Sequence, residues 1–257
     1  MCRRVCAQLG KLDLPPHLLK HVRGLTVQQY EPCVLGEDCA VLRQMESMIR
    51  NKDCGIEEVD MFPWLPEHAE LWDDTLRRVR EFQVYFFNGD DVNLLARSFE
   101  RTKVDGDNLV RLSFMGNNGA DPESMRCYLP PTVEGILRSR PNLQILDLAS
   151  TVSLSTFVVL CPAFVSSILT TLQVGVEVHT AVEDKTLTDG VEMLLQHPTI
   201  RDLDLTVEGG HDIGKTCQME GGSVYHFERC VAEGLRSTSL RRFHLTVKGF
   251  EEQAMPY

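Results

Sequence analysis

The sequence predicts an α/β fold in which strand–helix units stack side by side as a solenoid around one parallel sheet. The first observation is an apolar signature with a second apolar residue three positions after the first and a third two positions later, as in Leu143, Leu146 and Leu148. The second is that this signature occurs eight times, with centres 23 to 40 residues apart. The third is that the intervening positions are mostly polar, so that each strand has one buried and one open face. Recurrence at this spacing is typical of repeat architectures.

Each signature marks one expected strand, centred on its middle apolar residue. Strands that alternate with helices and lie beside the next strand in sequence are parallel. A doubly wound sheet would need strands that are apolar almost throughout, whereas these alternate, so a one-sided sheet is favoured. In the sixth unit the register is open between Ile168 and Leu169. The signatures are Val22/Leu25/Val27, Ile56/Val59/Met61, Val79/Phe82/Val84, Leu109/Leu112/Phe114, Leu143/Leu146/Leu148, Leu169/Leu172/Val174, Ile200/Leu203/Leu205 and Leu240/Phe243/Leu245.

Amphipathic segments between these strands indicate helices. The third of them follows Pro130 and Pro131, with Thr132 as its N-cap. Two prolines make a regular helix unexpected before Glu67 in the second unit. The expected helices cover 37–50, 90–101, 132–138, 188–196 and 223–236.

Charge and cysteine content restrict the class of protein. The 257 residues include 26 Lys and Arg against 37 Asp and Glu, a formal net charge of −11. This balance disfavours nucleic acid or an anionic membrane as the main partner. Nine scattered cysteines, without a signal-peptide segment or an Asn-x-Ser/Thr acceptor, predict reduced thiols in the cytoplasm or nucleus. The longest apolar run, 157–165, is too short to span a bilayer.

The open face of the sheet is the candidate binding surface. Residues one before, one after and three after each centre point away from the core. Strands lie about 4.8 Å apart, so equivalent residues stack in columns. The predicted partner-binding residues are Glu58, Asp60, Phe62, Glu81, Gln83, Tyr85, Arg111, Met115, Asp147, Asp202, Asp204 and His244.

One column of this surface is large and apolar. It comprises Phe62, Tyr85 and Met115, which are residue types enriched at interface centres. Acidic residues lie in the columns beside it. We therefore expect a basic or mixed polypeptide segment to bind here, with the apolar column as its anchor. The alternative is that the two aromatic residues fold over the end of the sheet and pack against Trp64 or residues 86–87.

The repeat phrases HVRGLTV, NLQILDL, TIRDLDLTV and SLRRFHLTV resemble leucine-rich repeats of the irregular strand–helix type found in F-box proteins, particularly fungal ones. This resemblance covers most of the chain from Pro16 onward. It implies a leucine-rich-repeat horseshoe of about eight repeats over 17–257, with the parallel sheet on its concave face. The segment Cys2 to Pro16 is similar to the last helix of an F-box. A short N-terminal helix is accordingly expected over 1–16, as the remnant of an F-box that is otherwise largely absent.

The same resemblance implies a non-enzymatic protein-interaction module. Its counterpart is the substrate-recognition part of a cullin-type ubiquitin ligase, with a protein substrate or partner on the concave face. A cullin-ligase adaptor is implied as a partner only if an F-box lies upstream. A stand-alone leucine-rich-repeat scaffold and a nucleotide-binding protein remain as alternatives.

The nucleotide alternative depends on Gly209 to Thr216, which fits the phosphate-binding pattern Gly-x4-Gly-Lys-Thr after a strand. Such a loop holds phosphates with backbone N–H groups and a following helix N-terminus. Here Gly221 and Gly222 interrupt the helix that should follow, and the preceding strand alternates. We therefore expect a polar loop between repeats.

No catalytic, cofactor or metal residue is predicted. The cysteine spacing lacks paired Cys-x2-Cys ligands, and no Ser/His/Asp or Cys/His set can be assembled. Only residues 248–257 follow the last expected strand, so its outer edge lacks the cover that repeat proteins usually provide. This predicts truncation, partner binding or low stability at that edge.

Overall fold

The described strands form one parallel sheet. A computed structural model describes residues 4–7, 20–27, 47–51, 54–61, 69–86, 89–102, 108–116, 122–178, 184–209, 229, 231–235 and 239–248. Nine strands within these ranges follow one another across the sheet in sequence order, and every neighbouring pair is parallel. The strands are β1 (Arg4–Ala7), β2 (Gly24–Val27), β3 (Glu58–Met61), β4 (Glu81–Phe86), β5 (Arg111–Gly116), β6 (Ile145–Ser153), β7 (Thr171–Val178), β8 (Asp202–Gly209) and β9 (Arg242–Lys248).

The predicted strand centres lie side by side in the sheet. Leu25 pairs with Val59 in the register of β2 and β3, and the centres of β4 to β9 continue the same column as far as Phe243. In the sixth unit Leu169 is fully buried, whereas the side chain of Ile168 is 49% exposed. The predicted alternation is thus confirmed, and the open register of that unit is settled in favour of Leu169.

The N-terminal segment departs from the expected helix over 1–16. Arg4–Ala7 is a strand, in which Val5 pairs with Leu25 and Ala7 with Val27. The helix prediction is therefore wrong for residues 4–7, while 1–3 and 8–16 lie outside the described part of the chain. Cys2, Val5 and Ala7 repeat the three-plus-two spacing of the signature, but the small residues at its two outer positions make the hydrophobic pattern weak.

Five helices join the described strands. Successive helices contact one another, as do helices and the strands beside them. Residues 47–50, 229 and 231–235 are also helical, within the helices expected over 37–50 and 223–236. None of the helices in the described ranges is long and apolar enough to cross a membrane. The five are α1 (Ala69–Leu76), α2 (Gly89–Arg101), α3 (Pro122–Ser139), α4 (Leu154–Val165) and α5 (Asp184–Leu195).

Helix α3 begins ten residues before the expected start at 132 and runs through Pro130 and Pro131. A proline inside a helix removes a backbone hydrogen bond and crowds the preceding turn. The helix continues here because Leu129, Val133 and Ile136, spaced four and three residues apart, are all buried. Tertiary burial therefore outweighs the local cost of the prolines.

Helix α4 was not expected from the sequence, because it is apolar on most sides and contains Pro162. It begins after Ser153, whose hydroxyl accepts a hydrogen bond from the backbone N–H of Thr156 at 3.3 Å. This N-cap satisfies one of the donors that every helix start leaves unpaired. The serine cap was the available sequence signal.

One face of the sheet is buried and the other is more exposed. Along β8 the residues alternate between intermediate and buried, and β7 behaves similarly. The core holds the strand centres together with residues such as Phe99, Phe157 and Leu194 from the helices. The polar residues of the strands lie on the opposite face, which we name the open face.

The open face contains an irregularity in β6. Its register against β7 shifts between Leu148 and Thr151, so that Thr151 lies opposite Gly175. A Cβ at Gly175 would lie 3.1 Å from the Cα of Thr151. The hydroxyl of Thr151 donates to Glu208 Oε2 at 3.1 Å, on the strand beyond Gly175. A glycine at 175 is what permits this close approach of strands.

Candidate interaction surface

Two rows of side chains run across the open face, one on each side of the column of strand centres. The strand register places the members of each row side by side, from β3 to β9. The first row is Glu58, Glu81, Arg111, Ile145, Thr171, Asp202 and Arg242, and the second row is Asp60, Gln83, Ser113, Asp147, Gln173, Asp204 and His244. Nine of the twelve predicted binding residues therefore lie on two adjacent lines of one surface.

The part of the open face around β3 and β4 is acidic. Glu58 lies opposite Glu81, and Asp60 opposite Gln83. Arg111 Nη1 is 4.0 Å from Glu81 Oε2, at the limit of an ion pair. Glu58, Asp60, Glu81, Gln83 and Arg111 border a depression of about 150 Å³. Like charges directly opposite each other destabilise a sheet, so a cation placed between the two glutamates would relieve repulsion.

A larger groove covers β5 to β9. It has a volume of about 780 Å³ and is bordered by Arg111, Gln173, Asp204, Arg242 and His244, among others. Arg111 borders both this groove and the smaller depression. The two form neighbouring parts of one polar surface that spans several strands.

Asp147 lies in the second row with limited access to water. Burial, followed by the nearby carboxylate of Asp204, raises the pKa of Asp147, while Arg111 and a hydrogen bond from Ser113 oppose this rise. Its Oδ1 is buried and has no hydrogen-bond partner. A buried acceptor without a donor is costly, so this oxygen lowers the stability of the fold when Asp147 is ionised.

Ion pairs join β8 and β9 across the open face. Arg242 donates from Nε and Nη2 to the two carboxylate oxygens of Asp202, each at 3.0 Å. This bidentate hydrogen bond lowers the pKa of Asp202. His244 Nδ1 is 3.4 Å from Asp204 Oδ1.

A third pair of oppositely charged side chains joins β8 and β9. Lys248 Nζ lies 3.3 Å from Glu208 Oε1. Neither residue was among the predicted binding residues, and Arg242 was not either. The signal was present in the sequence, because positions 202 and 242, and 208 and 248, share the 40-residue spacing of the strand centres at 203 and 243. The pairing follows from register and opposite charge.

The predicted apolar column is placed only in part. Met115 is half-buried and lies beside Tyr85 in the register of β4 and β5. Phe62 lies outside the described residues, as does Trp64, so the anchor and its packing alternative both remain predictions. Gly209 ends β8, and residues 210–216 of the candidate phosphate loop are likewise outside the described part of the chain.

Among the described residues, no group of three or more His, Cys, Asp or Glu side chains is arranged to hold a metal ion. No protein-family model matches this chain. No curated protein sequence matches it either.

Proposed function

We propose that this protein is a non-enzymatic interaction module that binds a basic or mixed polypeptide segment on the open face of its sheet. The observation that carries this proposal is the pair of rows across seven parallel strands, in which every member except Ile145 is polar or charged. Carboxylates outnumber cations in these rows. An extended surface of this kind suits a partner that crosses several strands.

The carboxylates differ in how well they are paired, which bears on where a cation would bind. Asp202 is neutralised by Arg242, whereas Glu58 faces Glu81 and Asp147 retains a buried oxygen without a donor. A lysine or arginine of a partner would find accessible negative charge that is not fully neutralised near β3–β4.

The resemblance to F-box proteins extends this proposal. On this view the units are leucine-rich repeats, the chain curves as a horseshoe, and the open face is concave. The protein then selects substrates for a cullin-type ubiquitin ligase in the cytoplasm or nucleus, and it meets the adaptor only through an F-box upstream. A stand-alone repeat scaffold would bind partners on the same face without that adaptor.

Charge reversal tests the binding surface. The variant carries Glu58→Lys, Asp60→Lys and Glu81→Lys, and the control carries Glu134→Lys and Glu192→Lys on helices α3 and α5. Affinity purification from cells, followed by quantitative mass spectrometry, should show partners that the open-face variant loses and the helix variant keeps. Synthetic peptides from such a partner should bind the wild type directly, more weakly when their Lys and Arg are replaced by Glu.

An unchanged set of partners for the open-face variant, with both variants folded, would contradict the proposal. Enrichment of a cullin adaptor by the full-length gene product would support the ligase assignment. Its absence, together with partners that depend on the open face, would favour the stand-alone scaffold.

A further inference from the structure

The outer edge of β9 is the second surface of interest. In the described part of the chain, β9 pairs with β8 on one side and with no strand on the other. Arg242 donates its backbone N–H to Arg201, on the β8 side, at 3.0 Å. Successive residues of a parallel strand direct their N–H and C=O groups to opposite neighbours, so those of Phe243, Leu245 and Val247 point to the outer edge. Such a row of donors and acceptors is a template for another strand.

The apolar side of β9 is incompletely covered. Leu203, Leu205 and Val207 on β8 are at most 2% exposed. Their neighbours on β9 are only partly buried, and Val247 is 36% exposed. A further strand with apolar residues at alternate positions would cover this side, as each strand of the sheet does for the one before it.

The open side of β9 carries two cations, Arg242 and Lys248, with His244 between them. The side chains of Arg242, His244 and Lys248 are 82%, 72% and 60% exposed, although each lies beside an acid of β8. A strand added to the outer edge would place its own side chains beside these three. Opposite charges at such positions stabilise a sheet and like charges destabilise it.

The same charges discriminate between occupants. Two copies of β9 that pair antiparallel about Leu245 would bring Arg242 of each copy beside Lys248 of the other. Repulsion therefore disfavours self-association, which is a usual role for charges on an edge strand. A segment with acids at alternate positions gains attraction from the same residues.

We propose that the outer edge of β9 binds an extended segment of another polypeptide, in which acidic and apolar residues alternate, as an additional strand of the sheet. Main-chain hydrogen bonds supply affinity in this mode of recognition, and alternate side chains supply specificity. The proposal is independent of binding on the open face. A suitable probe is the sequence of β8, Asp-Leu-Asp-Leu-Thr-Val-Glu-Gly, which already pairs with the inner edge of β9.

The experiment measures binding of this fluorescent octapeptide to the full chain by anisotropy at low ionic strength. We expect saturable binding that weakens with added salt. A peptide whose three acids are replaced by lysine should bind at least tenfold more weakly. The double variant Arg242→Glu and Lys248→Glu should bind the octapeptide at least tenfold more weakly than the wild type. The control Arg138→Glu, at a residue of helix α3 that is 76% exposed in the wild type, should bind it with nearly unchanged affinity.

N-methylated peptides test strand addition without altering the protein. Methyl groups on the alternate amides that face β9 should abolish binding, and methyl groups on the other amides should not. The open-face variant Glu58→Lys, Asp60→Lys and Glu81→Lys should bind the octapeptide as the wild type does, which keeps this test separate from the proposed function.

Several results would overturn the proposal. One is the absence of saturable binding to the folded wild type. Another is equal binding of a scrambled peptide with the same composition, since that would indicate charge attraction without strand pairing. A third is a wild-type dimer in sedimentation that Leu245→Pro disrupts by removing an outward N–H, because the occupant of the edge would then be a second copy.

Discussion

His197 Nε2 lies 3.1 Å from the carbonyl oxygen of Phe164, near the C-terminal end of α4. The Nδ1 of the same ring accepts backbone N–H groups from Thr199 at 3.1 Å and Ile200 at 3.2 Å. Only a neutral ring with its proton on Nε2 satisfies all three contacts. His197 is buried, and burial lowers its pKa below the ordinary value of 6.5.

This arrangement of His197 predicts that the fold is less stable in acid. Because the unfolded chain takes up the proton at a higher pH than the folded chain, the free energy of unfolding should fall as the pH drops below about 6.5. Urea denaturation at pH 7.5 and pH 5.5 measures the difference. The variant His197→Gln should be less stable at pH 7.5 and show a smaller difference between the two pH values. An unchanged difference would show that other groups cause the acid sensitivity.

Arg140 is a second polar group that reaches a neighbouring helix end. It is 2% exposed, its Nη2 donates to Phe99 O at 3.0 Å, and its guanidinium stacks on the Phe99 ring. It also donates to Thr102 Oγ1. Arg140→Met should lower the free energy of unfolding by about 3 kcal/mol, because the helix-end acceptors lose a buried donor.

Arg138→Met is the matched control for Arg140. Arg138 lies in the last turn of α3, exposed to solvent, and pairs with Glu134 one turn earlier. Its removal should change stability by no more than about 0.5 kcal/mol. Equal losses for the two variants in chemical denaturation would refute the structural role of Arg140.

Two helical glycines should respond to alanine in opposite directions. A Cβ at Gly190 on α5 would lie 2.8 Å from Phe157 Cε1 and 3.3 Å from Cys161 Sγ, both on α4 and both buried. A Cβ at Gly135 on α3 would meet no atom within 4 Å.

Gly190→Ala should therefore destabilise the protein by roughly 1–3 kcal/mol through overpacking. Gly135→Ala should stabilise it by about 0.5–1 kcal/mol through helix propensity. Thermal melts of both single variants suffice to compare them. Stabilisation by Gly190→Ala would mean that α4 and α5 pack less closely than the structure shows.

Asp147 and Asp202 should give opposite pH effects. The pKa of Asp147 is raised, mainly by burial, so its ionisation costs stability as the pH rises above its ordinary value of 3.8. Asp147→Asn should then be more stable than the wild type at pH 7, by about 1 kcal/mol, and the gain should shrink toward pH 4.

The pKa of Asp202 is lowered by Arg242, so its ionised form stabilises the fold above 3.8 and that contribution is lost in acid. Asp202→Asn should be slightly less stable than the wild type at pH 7 and equal to it in acid. If Asp147→Asn and Asp202→Asn changed the free energy of unfolding in the same direction at pH 7, the opposite pKa shifts of the two carboxyl groups would be contradicted.

The strands were predictable because one spacing rule determines both burial and register. The rule located the centres from Leu25 to Phe243, since each unit repeats the same contact between an alternating strand and its helix. It missed β1, where Cys2 and Ala7 are smaller than the residues at the same positions of the eight predicted signatures. It could not show the shift between Leu148 and Thr151, which follows from the close approach of Thr151 to Gly175 rather than from hydrophobic pattern.

The helices and the ion pairs were harder to foresee. Pro130 and Pro131 argue for a helix start, yet burial of Leu129 and Val133 carries α3 through them. The open-face rows were predicted as columns, and the spacing of the strand centres already places Arg242 beside Asp202. The bidentate geometry of their ion pair depends on side-chain conformations that the hydrophobic pattern does not encode.

The sequential order of the sheet bears on how such a protein can lengthen. Within the described residues, each strand pairs only with its immediate predecessor and successor in the chain. Alignment depends on the apolar triplet rather than on how many residues separate one triplet from the next. Duplication of a whole segment between two triplets therefore adds one strand and its helix without changing how the existing strands pair. Evolution can extend the molecule, and the area it presents to other molecules, one strand–helix unit at a time.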